Sequence, residues 1–287
     1  MAGPVNDKAR RVLVLGASGL LGDHLLRRLP HTFSTIAPLG RGDRTGTDAG
    51  VTWIPMRLDA ADHQAIAPLL DTADAGVIVN AIGAPRQSDA ATLAMVNARF
   101  PHALAAAAAA RGSRVVQIST DAVFSGSRGG YAERDQPDPS DDYGRSKLDG
   151  ELAAPHLTIR TSFFGRSPRG TGLMEWFVAQ RGGAVDGFTD YRFTGLAASL
   201  AADFIALAVD AALDGVFHVG GEAITKYELL CAVSRRLELD IAVRPASSEA
   251  VDRTLDTRRF FDAIARRRPT FTESIEGLAS CGVLSQS

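Results

Sequence analysis

A chain of 287 residues, 45% of them hydrophobic, suits one large domain or two intimate ones. Its 31 basic and 33 acidic residues are mixed along the chain to a net charge of −2, which argues against a nucleic-acid groove and a charged disordered tail but leaves room for a local anion site. Two distant cysteines, Cys231 and Cys281, argue against a disulfide framework, and six scattered histidines make no i, i+4 metal pair.

The sparse, unpartnered cysteines suit a reduced setting, so a cytoplasmic protein is expected, and the opening MAGPVNDKARR, with no apolar signal core, reads as a short lead-in. Arg11–Leu15 (RVLVL) reads as a buried strand stopped by glycine, and GASGLLGDHLLRRL then turns helical. Phe33–Ala37 and Val51–Leu58 read as the second and third strands, Ala65–Leu70 as a short helix and Gly76–Asn80 as the fourth strand. Ala90–Ala110 is a long, alanine-rich helix, and Arg114–Ser119 a fifth strand. Tyr143–Ala153 is helical, and Leu157–Arg160 is a sixth strand. Beyond 165 come a helix near Leu173–Gln180, a looped stretch to about 195, a helix over Leu196–Leu213 and a last strand at Val216–Val219; the remainder reads as helix and loop. The most apolar long run, AASLAADFIALAVDAAL, carries Asp203 and Asp210, so it is a buried helix rather than a membrane span.

Continuous apolar strands alternating with helices imply an α/β fold: a Rossmann-type, doubly wound parallel sheet covered on both faces. The expected division is a dinucleotide-binding unit over 1–165 plus about 196–220, and a smaller interleaved C-terminal lobe over 166–195 and 221–287 that takes the substrate.

Three features carry chemistry. The first is Gly16-Ala-Ser18-Gly19-Leu20-Leu21-Gly22 between strand and helix. Gly16 allows the tight turn, Gly19 lets backbone N–H groups approach a pyrophosphate, and Gly22 lets the helix pack on the sheet. The helix N-terminus adds partial positive charge. Downstream, the second strand ends without the acid that would hold an NAD ribose. Gly40-Arg41-Gly-Asp43-Arg44 follows, and arginine suits a 2′-phosphate, so NADP(H) is preferred; Asp43 leaves NAD(H) open. Asp59 either caps an adenine amino group or starts the next helix. Small residues at Asn80, Ala81 and Gly83 leave room for a cofactor across the strand end.

The second feature is Tyr143 with Lys147 four residues on, one helical turn apart and on one face. An ammonium beside a phenol favours the phenolate, so Lys147 is expected to lower the tyrosine pKa towards neutrality. The third is Thr120, closing the fifth strand at the carboxyl edge of the sheet, where its hydroxyl can hold a substrate oxygen. Together they fit proton transfer to a carbonyl oxygen while a nicotinamide moves hydride at carbon.

On these residues the chain resembles the extended short-chain dehydrogenase/reductases, and within them the dTDP-4-dehydrorhamnose reductase-like branch of sugar-nucleotide reductases. The matching pieces are GASGLLG, STDAVFSG, YAERDQPDPSDDYGRSKLDGE, IRTSFFG, GVFHVGGEAITKYELL and LDTRRF. The resemblance implies Thr120, Tyr143 and Lys147 as the catalytic trio, with Tyr143 as proton donor and Lys147 also on the nicotinamide ribose. It implies Asn97 as a brace for that lysine, and Arg160-Thr161-Ser162 as lining the nicotinamide side. Asp121, Ala122, Phe124 and Phe163 are then expected beside the substrate. Dehydratase relatives carry Asp-Glu after the threonine; here Asp121-Ala122 follows, which disfavours a 4,6-dehydratase. The branch usually has Tyr where Ala122 stands and Trp where Phe163 stands.

A nucleotide-linked sugar brings a pyrophosphate that needs cations. Arg192 and Arg258 are the leading candidates, beside Arg253, Arg166 and Arg169; Phe188 and Tyr191 could stack on a base. Tyr131 and Glu133 are expected to order the loop before the helix of Tyr143. The expected activity is NADP(H)-dependent reduction of a keto group on a nucleotide-linked deoxysugar. A nucleotide-sugar epimerase, a reductase of a non-sugar ketone, and a non-catalytic regulatory subunit with the same fold are the alternatives. The resemblance also suggests a possible homodimer; neither nucleic acid nor membrane is expected as a partner.

Overall fold

The computed structural model describes residues 7–38 and 50–278. At its centre, seven strands lie parallel: β1 (Arg11–Leu15), β2 (Ser34–Pro38), β3 (Val51–Ile54), β4 (Val77–Asn80), β5 (Arg114–Thr120), β6 (Leu157–Thr161) and β7 (Gly215–Val219). Their spatial order is β7-β6-β5-β4-β1-β2-β3. The order reverses between β1 and β4, so a crevice opens outside the carboxyl ends of those two strands.

Strand alternation splits the buried side chains between two layers. Val12 and Val14 of β1 join one core, and Leu13 and Leu15 the other. The first layer holds helix α1 (Leu20–Arg28), through Leu21, Leu25 and Leu26. The second holds α2 (Ile66–Ala73), through Ile66, Leu69 and Leu70, and a longer helix, α3. Helix α3 starts as Ala90–Leu93, passes through a π-helical segment at Ala94–Arg99 and continues as Phe100–Ala109. Helix α4 (Asp142–Asp149) carries Tyr143 and Lys147, and α5 (Ala198–Asp210) packs into the first layer through Ala201, Ala202 and Ile205.

Several boundaries differ from the sequence reading. The third strand ends at Ile54, because Pro55 has no N–H to give a ladder. The helix expected from Leu196 begins as a two-residue strand, Leu196–Ala197, paired in parallel with Phe163–Phe164. The stretch expected to loop to 195 contains strands Ala184–Phe188 and Tyr191–Phe193. The chain beyond 221, expected as helix and loop, adds strands Ile224–Thr225, Ala242–Ala246 and Val251–Asp252 around helix α6 (Lys226–Arg236). Ala242–Ala246 runs parallel to Ala184–Phe188, and Tyr191–Phe193 pairs with both other strands. A separate buried cluster fills this part: Met174, Phe177, Val185, Phe193, Leu229, Leu230, Val233 and Ile275. Among the described residues no helix is long and apolar enough to cross a membrane.

Candidate active site

The glycine turn sits where the sheet order reverses. Gly16 has φ +83°, and a Cβ there would lie 2.7 Å from the Ala81 carbonyl carbon. A Cβ at Gly22 would lie 2.1 Å from the Gly16 carbonyl oxygen, so only glycine lets α1 close on the turn. Gly19 donates its N–H to Gly16 O at 2.9 Å and caps α1 without a side-chain acceptor. The first backbone N–H groups of α1, Leu20 and Leu21 among them, therefore remain for an anion. Opposite, Ala81 N–H donates to Leu15 O at 3.0 Å and ties β4 to β1.

Tyr143, Lys147 and Thr120 converge beside this crevice. Helix α4 starts with Asp141, whose carboxylate accepts from Gly144 N–H at 2.7 Å. A Cβ on Gly144 would lie 2.2 Å from Ala122 O, so glycine brings α4 against the turn after β5. Thr120 holds that turn by accepting Ala122 N–H at 3.2 Å and donates its hydroxyl to Asp121 Oδ1 at 3.3 Å. It is near enough to the Tyr143 phenol to act on its pKa. Lys147 is buried and donates from Nζ to Ile118 O at 2.6 Å.

The lysine does not lower the tyrosine pKa, contrary to the sequence reading. Burial first, then the neighbouring Asp121 carboxylate, push the Tyr143 phenol above its ordinary value; Arg86 and Thr120 act against them. The ammonium is aimed at a backbone carbonyl, and burial lowers its own pKa to about 8. Tyr143 is thus held as a phenol, the form that donates a proton.

Asn97 sits in the π-helical segment of α3, fully buried. It accepts from Ala84 N–H at 2.8 Å and donates to Ala84 O and to Ser146 Oγ at 3.2 and 3.1 Å. It braces Ser146, the neighbour of Lys147, and the loop through Gly83, where a Cβ would stand 3.5 Å from Asn97 Oδ1 and 4.0 Å from Lys147 Nζ. Thr161, level with Thr120 in the β5–β6 register, is buried and its hydroxyl has no partner. The glycine cradle and this orphaned hydroxyl at the strand ends fit a dinucleotide laid across the crevice.

Behind the trio lies a buried polar network. Glu151 accepts from Ser119 Oγ at 2.7 Å and takes Arg160 bidentately at 2.8 and 2.7 Å. Arg160 donates to His218 Nε2 at 3.3 Å, and His218 Nδ1–H donates to Tyr131 O at 3.0 Å. Burial, then Arg160, lower the His218 pKa to about 3, so the ring is neutral.

In front lies a group of cations. The Arg86 guanidinium stands 5.0 Å from the centroid of the Tyr143 ring and pairs with Asp141. Arg253 is buried; it donates to Tyr191 Oη at 3.3 Å and to Ser140 Oγ at 3.1 Å, and its Nε has no partner. Lys226, at the start of α6, places Nζ 3.6 Å from the centroid of the Tyr191 ring. Asp121, buried, is the carboxylate that feels Arg253 and Arg86.

Other expected residues fall elsewhere. Phe124 is fully buried, stacked on Tyr131 with centroids 4.2 Å apart, so it is core and not a substrate contact. Asn80 is fully buried too; it donates to Gln117 Oε1 at 2.8 Å and accepts from Ile82 N–H, so its side chain shapes the strand end and does not face a cofactor. Asp59 caps its own turn through Ala61 N–H, while Asp62 caps the following 3₁₀ turn. Arg258 pairs with Asp256 and is 85% exposed, next to Arg259, whose guanidinium holds the Val216 carbonyl near the start of edge strand β7; it lies off the crevice. Arg192 faces Asp252 on the side of its strand opposite Tyr191. Ala122 is buried, Phe163 half-buried, and Phe188 exposed. Arg166 is taken by Glu175. Tyr131 and Glu133 order the loop through His218, as expected. Arg41, Asp43, Arg44 and Cys281 lie outside the described residues. Arg86 and Lys226 went unnoticed in the sequence, where nothing sets them apart from other surface cations.

The chain matches the family described as RmlD substrate binding domain over residues 10–259. It belongs to that family. A probable dTDP-4,6-dihydroxy-2-methyloxan-3-one 4-ketoreductase of Streptomyces antibioticus is 33% identical over 85% of this chain and 83% of its own. The methionine adenosyltransferase 2 subunit beta of Rattus norvegicus is 29% identical over 86% of this chain and 78% of its own. Among solved structures, a dTDP-4-dehydrorhamnose reductase of Bacillus anthracis in complex with NADP superposes with a TM-score of 0.79 at 21% identity, covering 94% of this chain and 99% of that one. The likeness to the Bacillus structure is one of fold, and the family match spans the residues that carry Thr120, Tyr143 and Lys147.

Proposed function

We propose that the chain is an NADP(H)-dependent reductase of a keto group, the 4-keto group of a nucleotide-linked deoxysugar foremost. The observation that carries this is the meeting of Thr120, the Tyr143 phenol and the buried Lys147 next to a glycine cradle. The bound nicotinamide supplies the hydride. Gly16, Gly19, Gly22 and the first N–H groups of α1 would hold its phosphates, and the Thr161 hydroxyl would face its nicotinamide end. Arg41 supports the choice of NADP(H), as does the NADP complex of the Bacillus relative. Thr120 orients the carbonyl oxygen, and Tyr143 gives it a proton. Arg253, Lys226 and Arg86 make the substrate side of the cleft cationic, which suits a diphosphate-bearing sugar. They come from both halves of the chain, so residues 166–195 and 221–287 act as the substrate lobe.

Tyr143→Phe tests the mechanism. It should lower kcat by about two orders of magnitude or more while leaving the NADPH Kd within about twofold. Unchanged turnover would remove Tyr143 as the proton donor. The similarity to a methionine adenosyltransferase subunit raises a second reading, a non-catalytic partner. Wild-type protein that binds NADPH, reduces no sugar ketone and holds a second enzyme stoichiometrically would favour it.

A further inference from the structure

The segment after β6 holds a cation that neither the trio nor the substrate cleft uses. Arg169 donates from Nη2 to Ser18 Oγ at 2.6 Å and from Nε to Ser18 O at 3.2 Å. Ser18 is the tip of the glycine turn, 151 residues away in sequence. The approach is built. Glu175, on the helix Leu173–Val178, accepts from Ser167 N–H and from Arg166 Nε, both at 2.8 Å. Ser167 in turn receives Arg169 N–H at 3.2 Å and Gly170 N–H at 3.0 Å, closing a tight turn with Arg169 at its crest. Gly165, at the start of the segment, lies against Leu20 of α1, where a Cβ would stand 3.2 Å from Leu20 Cδ1.

The electrostatics of that placement ask for an anion. A helix N-terminus is a positive pole that disfavours a guanidinium. The glycine cradle is shaped for a diphosphate, and a planar fork above it completes the coordination of phosphate oxygens from the open side. We infer that Arg169 is a cofactor-phosphate clasp: it leaves Ser18 for the diphosphate when the dinucleotide enters, and so covers the cofactor from the side of the substrate lobe. This rests on the cofactor reading above and adds a ligand that the glycine motif does not contain.

Calorimetry on the intact protein separates the two. Wild type should bind NADPH; if it binds neither NADPH nor NADH, the cofactor reading fails and the clasp falls with it. Given binding, Arg169→Ala should weaken NADPH and NADH alike by about ten- to hundredfold, mostly through faster release in stopped-flow displacement. Adenosine 2′,5′-bisphosphate, which has no diphosphate, should bind the variant within about twofold of wild type. Arg169→Lys, which keeps the charge and loses the fork, should fall between. The side chain is exposed, so the melting temperature should not move. Unchanged NADPH affinity in Arg169→Ala overturns the clasp. So does a loss confined to ligands with a 2′-phosphate, which would move Arg169 to the other end of the nucleotide.

Discussion

At the residue scale, the proposed trio combines opposed protonation preferences. Tyr143 is kept a phenol by burial and Asp121, whereas Lys147 is kept close to losing its proton by burial alone, partly offset by Glu151. The lysine leaves a stability signature. Its pKa is about 8 in the folded chain against 10.5 in the unfolded one. Below pH 8 both states hold the proton and the cost of the buried charge is fully present. Between 8 and 10.5 the unfolded chain binds the extra proton, so stability rises with pH, by about 3 kcal/mol across the window. Urea denaturation at both ends should show wild type gaining this amount relative to Lys147→Met. Equal gains in the two proteins would mean that the ammonium is better solvated than its burial implies. Tyr143, Lys147 and Thr120 were legible because their spacing and strand-end position are written in the chain. The direction of the Lys147 ammonium was not: Ile118 O reaches it from another element. Phe124 and Asn80 misled for the same reason, since a side chain near a motif turns inward or outward according to what packs on it.

At the element scale, α4 is positioned by two glycines and a π-helical segment. Gly144 lets it meet the turn at Ala122, and Gly150 lets its end meet the α3 backbone. A Cβ at Gly150 would lie 1.8 Å from Asn97 O. Gly150→Ala should therefore push α4 away from the segment that holds Asn97, costing about 1–3 kcal/mol in denaturant unfolding. The same shift displaces Tyr143 and Lys147, so kcat should fall by more than the stability loss alone implies, about tenfold or more. Wild-type kcat with full stability would show that α4 is held by other contacts. The long helix at 90–110 was legible from composition; its π-helical segment was not, because no alanine-rich pattern announces the extra residue that turns Asn97 inward.

At the scale of the whole molecule, the parallel sheet followed from short apolar runs alternating with helices, and the crevice followed from the sheet order. The part beyond 165 was harder to read. Its strands are two to five residues long and pair across large sequence separations, as Ala242–Ala246 does with Ala184–Phe188. Such segments carry little pattern of their own. The cation group shows the same limit: Arg86, Arg253 and Lys226 meet around Tyr143 and Tyr191 only once both halves have folded. These halves are proposed to make one reductase site for an anionic sugar. The most direct measurement is NADPH and NADH binding by calorimetry, followed by cofactor oxidation on adding a dTDP-4-keto-6-deoxyhexose and, separately, the same sugar without its nucleotide. Such a site should bind NADPH more tightly than NADH, oxidise it with the nucleotide-linked sugar and almost not at all with the free one. Cofactor binding with no oxidation of either would contradict the substrate assignment, and equal turnover of both would contradict the anionic site.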